Sequence, residues 1–106
     1  MPKYLVQASY SAEGVKGLLK DGGSKRRAAA EAAIKGLGGK LEAFYFAFGD
    51  TDVFALADAP DNISAAAVSL AVSASGAVHA KITVLLTPEE MDEATKKSVS
   101  YRPPGT

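Results

Sequence analysis

The sequence predicts an α+β fold in which a four-stranded antiparallel sheet carries its helices on one face. Three observations predict it. Four short segments show two-residue alternation of side chains, the signature of strands. Two segments with helical spacing separate the first strand from the second and the third from the fourth. Between them, LEAFYFAFGDTDVFALAD at 41–58 reads as a hairpin. Alternation sends Phe44, Phe46 and Phe48 one way from the second strand and Leu41, Ala43, Tyr45 and Ala47 the other. A strand with one wet face alternates apolar with polar residues. This one is apolar on both sides, so both faces of the sheet should be covered, one of them by another subunit.

The first strand is expected at residues 3–9, with Tyr4, Val6 and Ala8 on one face and Leu5, Gln7 and Ser9 on the other. Ser11 can cap a short helical turn reaching Leu19. The pair Gly22-Gly23 interrupts it, because glycine inside a helix is costly. Ser24 restarts a longer helix to about Leu37, which Gly38-Gly39 stops. Its Ala30, Ala33, Ile34 and Leu37 form a stripe of small and medium residues facing the sheet.

The second and third strands are expected at 40–48 and 52–57, joined through Gly49-Asp50-Thr51. Whether Phe54 and Leu56 share a face with the phenylalanines or with Tyr45 depends on the loop length, since a one-residue slip swaps faces. Asp61-Asn62 opens a second helix to about Ser75, ended by Gly76. Ile63, Ala66, Ala67, Leu70 and Ala74 make its expected inner stripe, with Ala65, Val68 and Val72 opposite. A helix so apolar all round is usually buried on two sides. The fourth strand, 78–86, places Val78, Ala80, Ile82, Val84 and Leu86 on one face and His79, Lys81 and Thr83 on the other. Thr87-Pro88-Glu89-Glu90 is a capping box with proline at the first helical position, starting a terminal helix to about Ser98. One domain over 1–98 is expected, followed by an extended arm, 99–106.

Composition narrows the function classes. The 106 residues contain no cysteine, which removes disulfides and thiolate chemistry. The first ten residues enter a strand pattern with no signal-peptide layout, so a cytoplasmic setting is the expectation. Net charge is zero, which argues against nucleic acid as a partner. The distribution is uneven: residues 1–40 hold eight Lys/Arg and three acids, residues 41–95 one Lys and nine acids. Such opposition can orient docking subunits, although each charge also has the simpler role of solvating its own surface. Residues 62–80 lack any charged side chain but are too rich in Ser, Ala and Gly for a membrane span.

The order strand, helix, strand, strand, helix, strand is the split βαβ, ferredoxin-like plan, here with an added C-terminal helix. It leaves one sheet face bare, and a two-fold sheet-to-sheet dimer covers it. The segment GGKLEAFYFAFGDTDVFALADAPDN, together with VHAKITVLLTPEEM and the opening MPKYLVQASYSAEGVKGL, resembles the GYD domain family of small bacterial proteins. That family is named for a Gly-x-Tyr-Asp turn after the second strand. Gly49, Asp50 and Asp52 fall in this pattern, and Thr51 stands where tyrosine is usual. The resemblance implies the dimeric α/β-barrel type of ferredoxin-like domain and brings no established activity with it.

Candidate chemistry is sparse. His79 is the only histidine; with Asp52 it would make a proton-transfer pair, or alone it would hold a haem iron. The plain alternative is a hydrogen-bonded histidine at a strand edge or subunit interface. Asp50 and Asp52 equally suit a turn-shaping role. Tyr4, Tyr10, Tyr45 and Tyr101 are candidates to line a pocket for a flat ligand, Tyr45 foremost because Ala43 and Ala47 flank it. Lys25-Arg26-Arg27 sits where it opposes the helix dipole, a placement that an anionic ligand or plain solvation would relieve. Phe44, Phe46, Phe48, Val68 and Val72 are the expected interface. No metal site and no cofactor is expected. The leading expectation is a homo-oligomeric assembly domain, a dimer or larger, with room for a small-molecule ligand. The alternative is a cofactor-independent oxygenase-like enzyme, or a haem binder, with a closed pocket of roughly 300 Å3 or more.

Overall fold

The computed structural model describes residues 1–106. Eight elements follow in order: β1 Lys3–Tyr10, α1 Ala12–Asp21, α2 Gly23–Gly36, β2 Lys40–Phe46, β3 Val53–Asp58, α3 Asn62–Ala74, β4 Val78–Leu85 and α4 Pro88–Thr95. The strands form one antiparallel sheet in the order β2-β3-β1-β4. The two central strands are therefore β3 and β1, which supply most of the buried residues.

Local signals set the helix ends. The Ser11 hydroxyl accepts from the Gly14 amide, and Asp61 accepts from the Ser64 amide, each opening its helix. The capping box at α4 is complete: Thr87 accepts from the Glu90 amide while Glu90 accepts from the Thr87 amide. Gly38, at φ 80°, lets the chain leave α2 for β2 in a conformation other residues resist. The α1 helix comes so close to the start of β4 that a side chain at Gly14 would collide with the Ala77 carbonyl and the Tyr10 ring.

The helices α2 and α3 lie on one face of the sheet. Tyr4, Ala8, Leu41, Val53, Ala55 and Ala57 are buried beneath them. Two face assignments differ from the sequence expectation. A bulge in β2 puts one extra residue, Glu42, between Leu41, opposite Ala57, and Ala43, opposite Leu56. The extra residue restarts the alternation. Leu41 therefore shares the helix face with Phe44 and Phe46 instead of lying across from them, and Phe44 meets Phe46 edge-on at 5.3 Å. Phe46 also approaches Gly23 at the start of α2. The two phenylalanines thus pack under a helix and do not line the bare face.

The second correction concerns α3. Ala65, Val68 and Val72 face the sheet, while Ile63 and Leu70 point outward at 82% and 72% exposure. The expected inner and outer stripes are exchanged, because a helix apolar on all sides offers no polar face to orient it. Element ends moved less. The strand β2 stops at Phe46, leaving a six-residue loop, 47–52, closed by the Ala47 amide donating to the Asp52 carbonyl at 2.7 Å. The terminal helix ends at Thr95, short of Ser98, and residues 88–106 are exposed throughout.

Candidate functional site

The helices α2 and α3 make little contact with each other, and the sheet beneath them forms the floor of an apolar cleft. Small side chains make this possible. Ala8, Ala55, Ala57 and Ala80 pave the floor, and Ala29, Ala30 and Ala33 edge it on α2. The cleft holds about 180 Å3. It is smaller and more open than the closed pocket expected of an oxygenase-like enzyme, yet larger than the ~150 Å3 apolar cavities that take up benzene. Val68 and Val72 form the α3 wall, Ile34 and Leu37 the α2 wall, and Phe44 the end under β2.

Tyr4 lies at the bottom, 2% exposed, and its hydroxyl donates to the Asn62 side-chain oxygen at 2.6 Å. Its polar tip is thus satisfied, and the ring offers only apolar surface to the cleft. Two charged residues border the space, Asp58 and Arg26. Asp58 is held by Lys3 at 2.9 Å on the other side of the sheet, where Lys3 also pairs with Glu42 at 2.6 Å. The hydrogen bonds to Glu42 and Asp58 raise the Lys3 pKa above its ordinary value. Arg26, half-buried, stands where the cleft meets a second recess of about 290 Å3 lined by Tyr10, Glu13, Asp21 and Ser75.

The residues singled out from sequence do not converge. Asp52 accepts from the Tyr10 amide at 2.8 Å, tying the hairpin loop to the end of β1. That is a turn-anchoring role. His79 is exposed on β4, opposite Ser9, on the face away from the helices. Tyr45, 71% exposed, lies on that same bare face but on β2, the opposite edge. Strand spacing places β2 and β4 about 14 Å apart across three intervals. The one histidine and the apolar cleft are on opposite sides of the sheet, so the residues present do not form a haem pocket within a subunit. Of the four tyrosines, Tyr4 and Tyr10 line the cleft; Tyr45 and Tyr101 do not. Phe48 is fully exposed at the hairpin tip.

Arg26 stood out in the sequence only as part of the basic run Lys25-Arg26-Arg27, and its place at the cleft carries a second signal. Arg26 is four residues before Ala30, so it continues the stripe Ala30, Ala33, Ile34, Leu37 toward the start of α2. Extending that stripe one turn would have placed it at the cleft mouth.

The profile of the GYD domain family matches residues 4–95, covering every element except Lys3 at the start of β1 and ending with the last residue of α4. The chain belongs to the GYD domain family. No curated protein and no solved structure matches it. Within this GYD domain the turn that follows β2 is the 47–52 loop. Its Asp52 is the residue whose carboxylate grips β1, and Thr51 beside it is half-buried. The helices of the domain are all too short or too polar to cross a membrane.

Proposed function

We propose that this GYD domain is a self-assembling module of the ferredoxin-like, dimeric α/β-barrel type. It pairs with a second copy through the bare face of its sheet and keeps a small ligand in the cleft beneath its helices. The observation that carries the reading is the composition of that bare face. Tyr45, Phe54, Gln7 and Lys81 lie in one cross-strand row, and Ala43, Leu56, Leu5 and Thr83 in the next, so the apolar part of the face is on β2, β3 and β1. The strand order and the placement of α2 and α3 on a single side support the ferredoxin-like plan.

Surface area supports the same reading. A compact monomer of 10.9 kDa exposes about 5,600 Å2. This chain exposes 7499 Å2. The surplus, roughly 1,900 Å2 per copy, is of the size that obligate homodimers remove on pairing. The exposed 88–106 segment contributes to it along with the bare face, so it supports assembly without assigning the contact to the sheet alone. Size-exclusion chromatography with light scattering tests the proposal. A dimer or larger species is expected at micromolar concentration, and a well-behaved monomer overturns the reading.

A further inference from the structure

We infer that the α2–α3 cleft takes a small carboxylate with an apolar body of one ring or a short chain, its head group on Arg26. This rests on the reading of the cleft as a ligand pocket and adds the chemical class. The body of the ligand follows from the lining. Apart from Arg26 and Asp58, the walls and floor are almost wholly apolar, and the volume suits about one benzene ring.

The head group follows from charge. The ion pairs of the chain are Lys3–Glu42, Lys3–Asp58 and Lys16–Glu13, so Arg26 has no carboxylate partner. Asp58 is already engaged by Lys3, and Glu13 by Lys16. Asp21 borders the recess next to Arg26 without reaching ion-pair distance. The first turn of α2 carries no acid either. A half-buried guanidinium at the rim of an apolar cleft, with its fork of donors unclaimed, is matched by a planar carboxylate. A neutral ligand of the same shape would fill the cleft and leave that fork unused.

The test is isothermal titration of the full chain with 3-phenylpropanoate and with its neutral counterpart 3-phenylpropan-1-ol. The acid is expected to bind at least about tenfold tighter than the alcohol, the usual worth of a charge-assisted hydrogen bond. Arg26→Gln should bring the acid down to the level of the alcohol. Arg27→Gln, on the exposed neighbour, should leave the preference intact. Ala30→Phe, which fills the cleft from its edge, should abolish binding of both. Equal affinity of acid and alcohol in the unaltered protein overturns the carboxylate assignment while leaving the pocket standing. Failure of both to bind overturns pocket and assignment together. A preference that survives Arg26→Gln, in a variant with unchanged melting temperature, also overturns it.

Discussion

Gly14 shows how one missing side chain fixes the seat of a helix. Its amide is the donor to the Ser11 cap, and its Cα faces the Ala77 carbonyl with no room for a methyl group. Gly14→Ala must push α1 away from β4 or shift Tyr10. A loss of about 1–3 kcal/mol is expected, the usual cost of overpacking, read from the midpoint of urea unfolding. An unchanged midpoint would show that α1 floats free of the sheet. The capping carboxylates act in the same local way. Asp61 and Glu90 accept backbone amide hydrogen bonds, from Ser64 and from Thr87, that hold each below its ordinary carboxylate pKa. A depressed folded-state pKa stabilises above the unfolded value and fails as pH falls through the folded one. Stability owed to these caps should therefore hold at neutral pH and decline below about pH 4. Lys3 has the opposite sign: its raised pKa keeps its pairing intact until pH climbs above the ordinary lysine value. Asp61→Asn keeps a good cap without the titrating group, so its acid unfolding curve should be flatter than that of the parent. An identical curve would remove Asp61 from the account.

At the level of elements, the β2 bulge decides which side chains meet the helices. Phe46 packs near Gly23 under α2, whereas Tyr45 and Phe54 pair across strands on the bare face. The two sides predict different failures. Phe46→Glu should lower the unfolding midpoint, because it removes the packing of a 41% exposed ring on Phe44 and against the start of α2. A Tyr45→Glu, Phe54→Glu double variant should keep its circular dichroism spectrum and elute as a smaller species. If the double variant stays as large as the parent, the bare face is not where copies meet. The bulge also marks where sequence reading stops. Alternation, turn residues and caps placed each strand and helix, because those signals are local. Two helix ends differ: α2 starts at Gly23 with no side-chain cap, where Ser24 is the expected opening, and α1 runs on to Asp21 past Leu19. The face of Leu41 relative to Phe44 was not legible, since Glu42 reads as an ordinary strand position until its partner strand is known. The orientation of α3 failed for a different reason: Ala65, Val68 and Val72 are no more apolar than Ile63 and Leu70. Only the shape of the surface beneath selects the smaller set. Alternation correctly put His79 on the face opposite Val78 and Ala80, and Tyr45 on the face opposite Phe44. It could not say that β2 and β4 are the two edges of the sheet, so that His79 and Tyr45 stay far apart.

As a whole, the molecule is longer than its chain length requires. Its radius of gyration is 16.8 Å, where a compact chain of this size has about 13 Å, and its greatest extent is 56 Å. The excess belongs with the C-terminal segment, where α4 and the residues after it are exposed throughout. Met91, Val99 and Tyr101 are apolar groups carried outward on that segment. If copies assemble as proposed, a neighbouring copy should cover these groups. Hydrogen exchange measured at high and at nanomolar protein concentration checks this: amides of residues 88–101 should be slower at high concentration. Equal, fast exchange at both would leave the segment a free tail. An eight-residue helix without packing is marginal by itself, and the Thr87–Glu90 box is what α4 has to keep its first turn wound. The arm is therefore half wound before it meets anything, as a latch for the proposed assembly would need to be. Part of its ordering cost is met before any collision, which should make binding to a neighbour tighter than for a limp tail of equal length.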